Sequence, residues 1–464
     1  MRDHDLIVLG GGTGNIVASA AAEEGLDVAL IERDRLGGTC LNRGCNPSKK
    51  LIHRADIVET VQRANSFGID ASLNGVAFAE IVDEAITEVT EEAKEKAKRA
   101  RENDNITFYQ TDGRFIDDHT VEVDSGTNSE ILTAEKIVLA GGSRPLIPDS
   151  ISGTDDVEFI TSAEALRVHE RFDRLVIVGG GYIAVEMSHF FGAMGTDVAI
   201  VSHSEVLAER EDRDIAERLT DVYDDKHELH LGYEATAFEA DDDTKTVTAE
   251  SDDGDEITIQ GDELLVATGR RPNSDLWDVK AAGLETNNKG FVQTNEYLET
   301  STEGVWAIGD ISGNYLFKHS GDKEAKYVIE NAITGNRQPV TYPGMAHAVF
   351  GSPQIAGLGK TESEVRDDGR DYVIGTLSYD DTALGMALEA DAGFAKAIVG
   401  SDGDVIGFHI IGPHASLLIH EVSTAVAAGA DAKTIAETIH IHPALSEVVQ
   451  GAFQDIQDVA PSGV

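Results

Sequence analysis

Cysteine is nearly absent: Cys40 and Cys45 are the only two in 464 residues. Two thiols cannot build a four-cysteine metal cluster or a framework of structural disulfides. Positive charge is also scarce, with 37 Lys and Arg against 84 Asp and Glu and a formal net charge of -47. A chain this acidic repels phosphate backbones and anionic lipid, which excludes nucleic acid and membrane surfaces as partners. Self-repulsion on that scale is tolerated where salt screens it, so the composition predicts a halophilic protein. No run approaches about 18 consecutive apolar residues, the length a membrane helix needs. The start, Met1-Arg2-Asp3-His4-Asp5, carries no apolar signal region. The expectation is a cytoplasmic protein of about three domains, whose cysteines are not structural staples.

What is present clusters near the start. Gly37-Gly38-Thr39-Cys40-Leu41-Asn42-Arg43-Gly44-Cys45-Asn46-Pro47-Ser48-Lys49-Lys50 holds both cysteines at the opening of what reads as a helix. Their sulfurs can meet only if that turn is distorted, and the helix N-terminus with Lys49 favours a thiolate. Such a pair suits a disulfide that is reduced and remade; two buried structural cysteines, or half of a metal site, are the alternatives.

The apolar run Leu6-Ile7-Val8-Leu9 reads as a buried parallel strand and leads into Gly10-Gly11-Gly12-Thr13-Gly14-Asn15 and an alanine-rich helix. The next strand, Val28 to Ile31, ends at Glu32. Glycines let a pyrophosphate approach the backbone at a helix N-terminus, and a carboxylate about 20 residues on accepts ribose hydroxyls. Asn15 stands in place of the third glycine, which predicts looser helix–strand packing or an added polar contact. The charged stretch from Ile81 to Asn105 suits a solvated helix face and carries no chemistry. Ile137 to Pro145, with Gly141 and Gly142, closes this first segment.

About 170 residues after the first unit the pattern repeats. Leu175 to Val178 leads into Gly179-Gly180-Gly181-Tyr182-Ile183-Ala184-Val185-Glu186. Counting on from Gly181 puts Val201 where the first unit has Glu32, followed by Ser202 and His203. A carboxylate there would repel a 2′-phosphate, whereas Ser202, His203 and Arg210 can hydrogen-bond one, so NADPH is expected over NADH. Leu264 to Asn273, with Gly269 and Arg271, ends this inserted unit. Gly304 to Asp310 is again a strand ending in glycine (Gly309) and carboxylate, placing Asp310 to meet the ribityl chain of a flavin; a turn aspartate is the alternative. Strands near His347–Leu358, Tyr372–Ser378, Ala395–Val399 and Val405–Ile411, then two helices, complete the chain.

Six ordered segments, Gly10 to Glu32, Gly37 to Lys49, Gly179 to Glu186, Ala267 to Asn273, Gly304 to Asp310 and His440 to Glu447, resemble the pyridine nucleotide-disulfide oxidoreductases over essentially the whole chain. The resemblance implies an α/β fold with two nested dinucleotide-binding, Rossmann-like domains and a C-terminal α+β dimerisation domain. The FAD domain is expected at 1–150 and 271–336, the NAD(P)H domain at 151–270 and the interface domain at 337–464. It implies an FAD cradle of Gly10, Gly12, Gly14, Asn15, Glu32, Gly38, Thr39, Lys49, Gly142, Gly309 and Asp310. The nicotinamide nucleotide is expected at Gly179, Gly181, Tyr182, Ser202, His203, Gly269 and Arg271.

In the resembling family Cys40 attacks the substrate disulfide and Cys45 lies against the flavin. Lys49 and Glu186 match an ion pair beside the flavin, Tyr182 a ring that gates the nicotinamide pocket, and His442 with Glu447 an acid–base pair reaching in from the other subunit of a homodimer. The bond before Pro443 is expected to be cis. No cysteine follows in the tail, which disfavours members with an additional C-terminal redox pair. Asn15, Lys318-His319 and the Ile441 to Leu445 segment look most like mycothione reductase and bis-γ-glutamylcystine reductase, so a small thiol disulfide is the expected substrate; an NAD-dependent dihydrolipoyl dehydrogenase is the second reading. Four positions depart from the pattern: Gly141 stands where threonine is common, Ala444 replaces threonine, and Arg43 with Asn46 beside the cysteines point to a carboxylate-bearing substrate or simply face solvent.

Overall fold

The computed structural model describes residues 2–124, 129–242 and 244–456; Met1 and 457–464, the outer ends of the first and third expected domains, lie outside the described residues. Strand Leu6–Leu9 is apolar at every position because it is buried on both faces. It sits central in a five-stranded parallel sheet ordered Val305–Ala307, Ile137–Leu139, Leu6–Leu9, Val28–Ile31, Ile106–Tyr109. The edge strand Val305–Ala307 comes after the second nucleotide unit in sequence, so the chain returns to the sheet where it began.

That second unit has its own parallel sheet, ordered Glu228–Leu231, Asp197–Ser202, Arg174–Val178, Glu263–Val266. The chain leaves and re-enters the first unit through one antiparallel link, Ser143–Pro145 against Arg270–Pro272. A five-stranded antiparallel sheet follows, ordered Ala346–Val349, Ile355–Gly359, Val405–Ile411, Phe394–Gly400, Tyr372–Ser378. Its first two strands are one continuous stretch in the sequence pattern. They are separate because Pro353, in a cis bond to Ser352, has no N–H to continue a ladder. Among the described residues three helices rather than two then follow: Ala415–Ala427, Ala432–Glu437 and Ser446–Gln454.

The charged helix Phe78–Glu102 buries the stripe Phe78, Val82, Ala85, Val89, Ala93 and Ala100. Phe78, Val82 and Ala85 pack in one core with Leu51 and Ala55 of the helix that follows Cys45, while Val89 and Ala93 meet Leu41 between the cysteines. The same core takes in Val185 and Phe190 of the second unit and Val349, Ile355 and Ile411 of the antiparallel sheet. All three units therefore grip the cysteine-bearing helix. No described helix is long and apolar enough to cross a membrane.

Candidate active site

Cys40 and Cys45 lie on two helices rather than one. Gly38–Arg43 carries Cys40, Cys45 opens Cys45–Arg63, and Gly44 between them breaks the turn with φ -145° and ψ -121°. A side chain at Gly44 would lie 2.9 Å from the Thr39 carbonyl oxygen, so only glycine permits this break. The distortion the spacing demands is thus supplied by one residue. Both cysteines are free thiols, and the Cys40 S–H donates to Asn46 Oδ1 at 3.5 Å. Interaction with Cys40 draws the Cys45 thiol down to about 6 against burial, with the Lys49 charge helping. Cys40 is pushed up, first by its interaction with Cys45 and then by burial. The two thiols titrate together, and the pair favours the thiolate on Cys45.

One turn on, Lys49 Nζ donates to both oxygens of Glu186, at 2.7 and 2.6 Å, and sits 4.7 Å above the Phe350 ring. Glu186 also accepts the Phe350 backbone N–H at 3.2 Å. The ion pair thus joins the first unit, the second and the antiparallel sheet. Arg43 is turned away, paired with Asp34, whereas Asn46 Oδ1 lies 3.5 Å from Cys40 Sγ. Asn42, given no role in the sequence reading of its segment, is buried and donates to the carbonyls of Arg35, Leu36 and Gly38, fixing the loop before Cys40.

The first glycine loop fits a dinucleotide. Gly10 has φ +102°, and a Cβ there would fall 2.2 Å from the Ala140 oxygen. Gly38 faces Gly12 so closely that its Cβ would lie 2.7 Å from the Gly12 Cα, leaving a wall of bare backbone beside Thr39. Glu32 accepts the Gly11 N–H at 2.8 Å and the Asp34 N–H at 3.0 Å. The close helix–strand approach is made by Gly14, whose Cβ would meet Val8 at 2.8 Å and Ala140 at 3.0 Å. The packing expected to loosen at Asn15 is therefore intact, because Gly14 rather than position 15 makes the contact. Gly141 replaces threonine because the Trp277 indole fills the space: a Cβ there would lie 2.3 Å from its nitrogen. At the far end, open space surrounds Gly309, and Asp310 accepts the Ser143 hydroxyl. Gly142 has φ +67°, and a Cβ there would meet only the Asn273 amide, at 3.9 Å.

Arg270, absent from the residues expected from sequence, donates to Ser143 Oγ at 2.7 Å and lies 3.8 Å from Asp310. Its neighbour Arg271 instead pairs with Asp275 at 3.1 Å, out at the two-stranded link. Arginine alternation along a strand decides which of the two faces in.

In the second unit Gly179 (φ +116°) approaches the Ala267 oxygen as Gly10 approaches Ala140, and open space surrounds Gly181. Gly269 has φ +128°. The strand register corrects the count made along the sequence. Gly10 N–H donates to Ile31 and Gly179 N–H to Val201, so Ser202, not Val201, occupies the place of Glu32. Ser202 is buried against Gly180, while His203 is exposed with Glu209 4.0 Å away.

His442 Nδ1 lies 2.8 Å from Glu447 Oε1, and the Ala444 N–H donates to the other oxygen at 3.0 Å. These bonds hold Glu447 below the usual carboxylate range. The His442–Pro443 bond is cis. His442 is 73% exposed, and among the described residues no hydrogen bond links it to the cysteines of its own chain. Ile439 and Ile441 beside it are 96% and 77% exposed. By contrast His440 is tied to Glu421 at 2.5 Å and to the Thr438 carbonyl at 2.8 Å, as an ordinary loop histidine would be. Among the described residues no cluster of three or more His, Cys, Asp or Glu is arranged to hold a metal ion.

Known proteins are similar to this chain over nearly its whole length. Residues 4–338 match the family model described as pyridine nucleotide-disulphide oxidoreductase, and residues 345–453 match its dimerisation domain. A mycothione reductase of Mycobacterium tuberculosis is 35% identical over 98% of this chain and 99% of its own length. Dihydrolipoyl dehydrogenase 3 of Haloarcula marismortui is 33% identical over 98% and 97%. The HOCl-induced flavoprotein disulfide reductase RclA of Escherichia coli superposes with a TM-score of 0.85 over 98% of this chain and the whole of that one, at 24% identity, a likeness of fold. The chain belongs to the pyridine nucleotide-disulphide oxidoreductase family and is a flavoprotein disulfide oxidoreductase.

Proposed function

We propose that the protein is an NADPH-dependent reductase of a low-molecular-weight thiol disulfide, with bis-γ-glutamylcystine as the substrate. The observation that carries this reading is the free cysteine pair at the head of the helix that all three units grip, with the Lys49–Glu186 ion pair one turn on. Bound FAD would supply two-electron transfer from the nicotinamide to the Cys40–Cys45 bond. Gly10, Gly12, Gly14, Glu32, Gly38, Thr39, Gly142, Gly309 and Asp310, with Ser143 and Arg270, would hold it.

The chain's own groups then do the acid–base work. Because the Cys40 thiol is pushed up, its attack needs a base, and Asn46, which accepts its S–H, is none. His442 of a second copy, oriented by Glu447, fills that role: it removes the Cys40 proton as the sulfur bonds to one sulfur of the substrate. It then returns the proton to the departing thiolate. Cys45 thiolate next attacks the Cys40 sulfur of the mixed disulfide and displaces the second substrate sulfur as a thiolate, which takes its proton from solvent, restoring the Cys40–Cys45 bond. The homodimer is therefore part of the site.

An anionic substrate is favoured by Lys318, whose positive charge reaches Cys40 although Asp322 pairs with it. NADPH is favoured because Ser202 occupies the place of Glu32. The acidic composition, together with relatives from Haloarcula marismortui and Haloferax volcanii, supports a salt-adapted thiol pathway. The same relatives are dihydrolipoyl dehydrogenases, which keeps the NAD-dependent oxidation of dihydrolipoamide as the second reading.

The test is a panel of bis-γ-glutamylcystine, glutathione disulfide and lipoamide, assayed with both nicotinamides in concentrated potassium chloride. The expected result is highest kcat/KM for bis-γ-glutamylcystine with NADPH; faster NAD reduction by dihydrolipoamide would replace this reading with the second. Cys40→Ser is expected to lower turnover at least a thousandfold while flavin reduction by the nicotinamide persists. Acid should discharge Cys45 around the value of about 6 that its surroundings set, read as loss of thiolate absorbance in the reduced enzyme. Lys49→Met removes a charge that favours the thiolate and should move that midpoint upward; a midpoint that stays put would exclude the ion pair from tuning Cys45.

A further inference from the structure

A second set of buried polar groups lies where the nicotinamide unit meets the antiparallel sheet. Glu211, with a side chain 1% exposed, accepts two bonds at one oxygen, from the Tyr182 hydroxyl and from His347 Nε2 at 2.7 Å. Its other oxygen has no partner, and neither does Nδ1 of the buried His409, whose Nε2 donates to the Lys360 carbonyl at 3.0 Å. Both orphan atoms face Gly357: a Cβ there would lie 3.0 Å from His409 Nδ1 and 3.2 Å from Glu211 Oε2. Directly behind, Asp212 and Lys396 are both buried, and Lys396 bonds Asp212, Asp214 and Glu362 at 2.8, 2.6 and 2.8 Å. Burial would push the Glu211 carboxyl up, but the bonds from His347 and Tyr182 outweigh it and hold it low.

Tyr182 starts the helix Tyr182–Ala193, one turn before Glu186, so its ring stands on the same helix face as the Lys49 partner. The ring stacks on Phe317 at 6.5 Å and on His347 at 6.0 Å. Everything that fixes it comes from outside its own helix. A carboxylate buried at this junction with half its bonding capacity unused is costly to the fold unless it does something else.

We propose that Glu211 is a positioning residue for nicotinamide entry: it pins the Tyr182 hydroxyl to the C-terminal domain through His347, so the ring yields its place to the nicotinamide only when that bond breaks. The inference rests on the reading of Tyr182 as the ring beside the nicotinamide site. A hydrogen bond to a buried charge biases such a two-position ring roughly tenfold or more. A ligand that must displace the ring binds more weakly by that factor.

The experiment measures binding to the flavin-loaded, oxidised enzyme by calorimetry, without turnover. Two pairs of probes are used: NADP+ with adenosine 2′,5′-bisphosphate, and NAD+ with ADP-ribose. In each pair only the first carries nicotinamide. Glu211→Gln and Tyr182→Phe should each tighten the nicotinamide-bearing probe roughly tenfold and leave its fragment unchanged. The double variant should go no further, because both act on one bond: Tyr182→Phe deletes its donor and Glu211→Gln takes the charge from its acceptor. Tyr182→Phe deletes one oxygen atom and keeps the ring stack, so it reads the same bond if Glu211→Gln folds poorly. Unchanged or weakened nicotinamide binding, or additive effects, would overturn the proposal. Which pair binds the wild type reports separately on the NADPH reading, and disulfide turnover does not enter.

Discussion

The two glycine-rich units share one plan and end differently. In each, a glycine with φ above +100° passes under a carbonyl, Gly10 under Ala140 and Gly179 under Ala267. In each, the next glycine lies against the residue that ends the second strand: Gly11 against Glu32, Gly180 against Ser202. The loop then closes through equivalent backbone bonds, from Gly37 to Gly11 and from Ala208 to Gly180. The difference lies in the side chain at that strand end and in the segment downstream of each loop. The first unit runs on into the Cys40–Cys45 segment, which suits a cofactor that stays. The second presents a bare serine and a tyrosine held from another domain, which suits a nucleotide that comes and goes.

The largest expected effects separate the resident nucleotide from the exchanging one. Gly10→Ala puts a Cβ 2.2 Å from a carbonyl oxygen at a φ that L residues avoid, and Gly179→Ala does the same at 2.4 Å. Gly10→Ala should yield colourless protein, its flavin affinity down at least a hundredfold. Gly179→Ala should stay yellow and reducible by dithionite while reduction by NADPH slows by a similar factor. Loss of flavin in both variants, or in neither, would break the assignment of one loop to each nucleotide.

A smaller effect comes from making the two strand ends alike. Ser202→Glu installs the side chain of the first unit where Gly180 leaves it room. The new carboxylate repels a 2′-phosphate and accepts a bond from a 2′-hydroxyl. The ratio of kcat/KM for NADPH over NADH should fall between tenfold and a hundredfold, about 1.4 to 2.7 kcal/mol. An unmoved ratio would mean that the adenosine ribose does not reach Ser202.

How far the sequence displays this differs between the units for one physical reason. Both glycine loops, the cysteine pair, and His442 with Glu447 are local patterns, in which a few neighbouring residues carry the geometry. Counting residues is enough in the first unit but slips in the second, because the path from Gly181 to the strand end is one residue longer than that from Gly12. Strand pairing, which sequence does not display, restores Ser202 to its place. Arg270 and Arg271 are indistinguishable as letters, and the pleat at the crossover link sends one toward Asp310 and the other to Asp275. Glu211 and His347 are out of reach altogether: 136 positions separate them, and neither belongs to a motif. Burial against a distant sheet is what gives them meaning.

The smallest expected effect concerns the third position of the first loop, where the glycine pattern is interrupted. If the third glycine of such loops is required for helix–strand packing, Asn15→Gly should stabilise the protein and tighten the flavin. The geometry argues the reverse. Gly14 already makes the close approach to Val8 and Ala140, and the second unit tolerates Ala184 at the place of Asn15, with Ile183 at the place of Gly14. A second glycine in the first turn of the helix Gly14–Glu23 adds only backbone entropy to the unfolded chain. Asn15→Gly is therefore expected to lower stability by about 0.5 kcal/mol, seen as a small drop in the denaturant midpoint with flavin affinity unchanged. Gly14→Ala, by contrast, drives a methyl group to 2.8 Å from Val8 and should cost several times as much. A stabilised Asn15→Gly protein with a harmless Gly14→Ala would move the packing contact from residue 14 to residue 15.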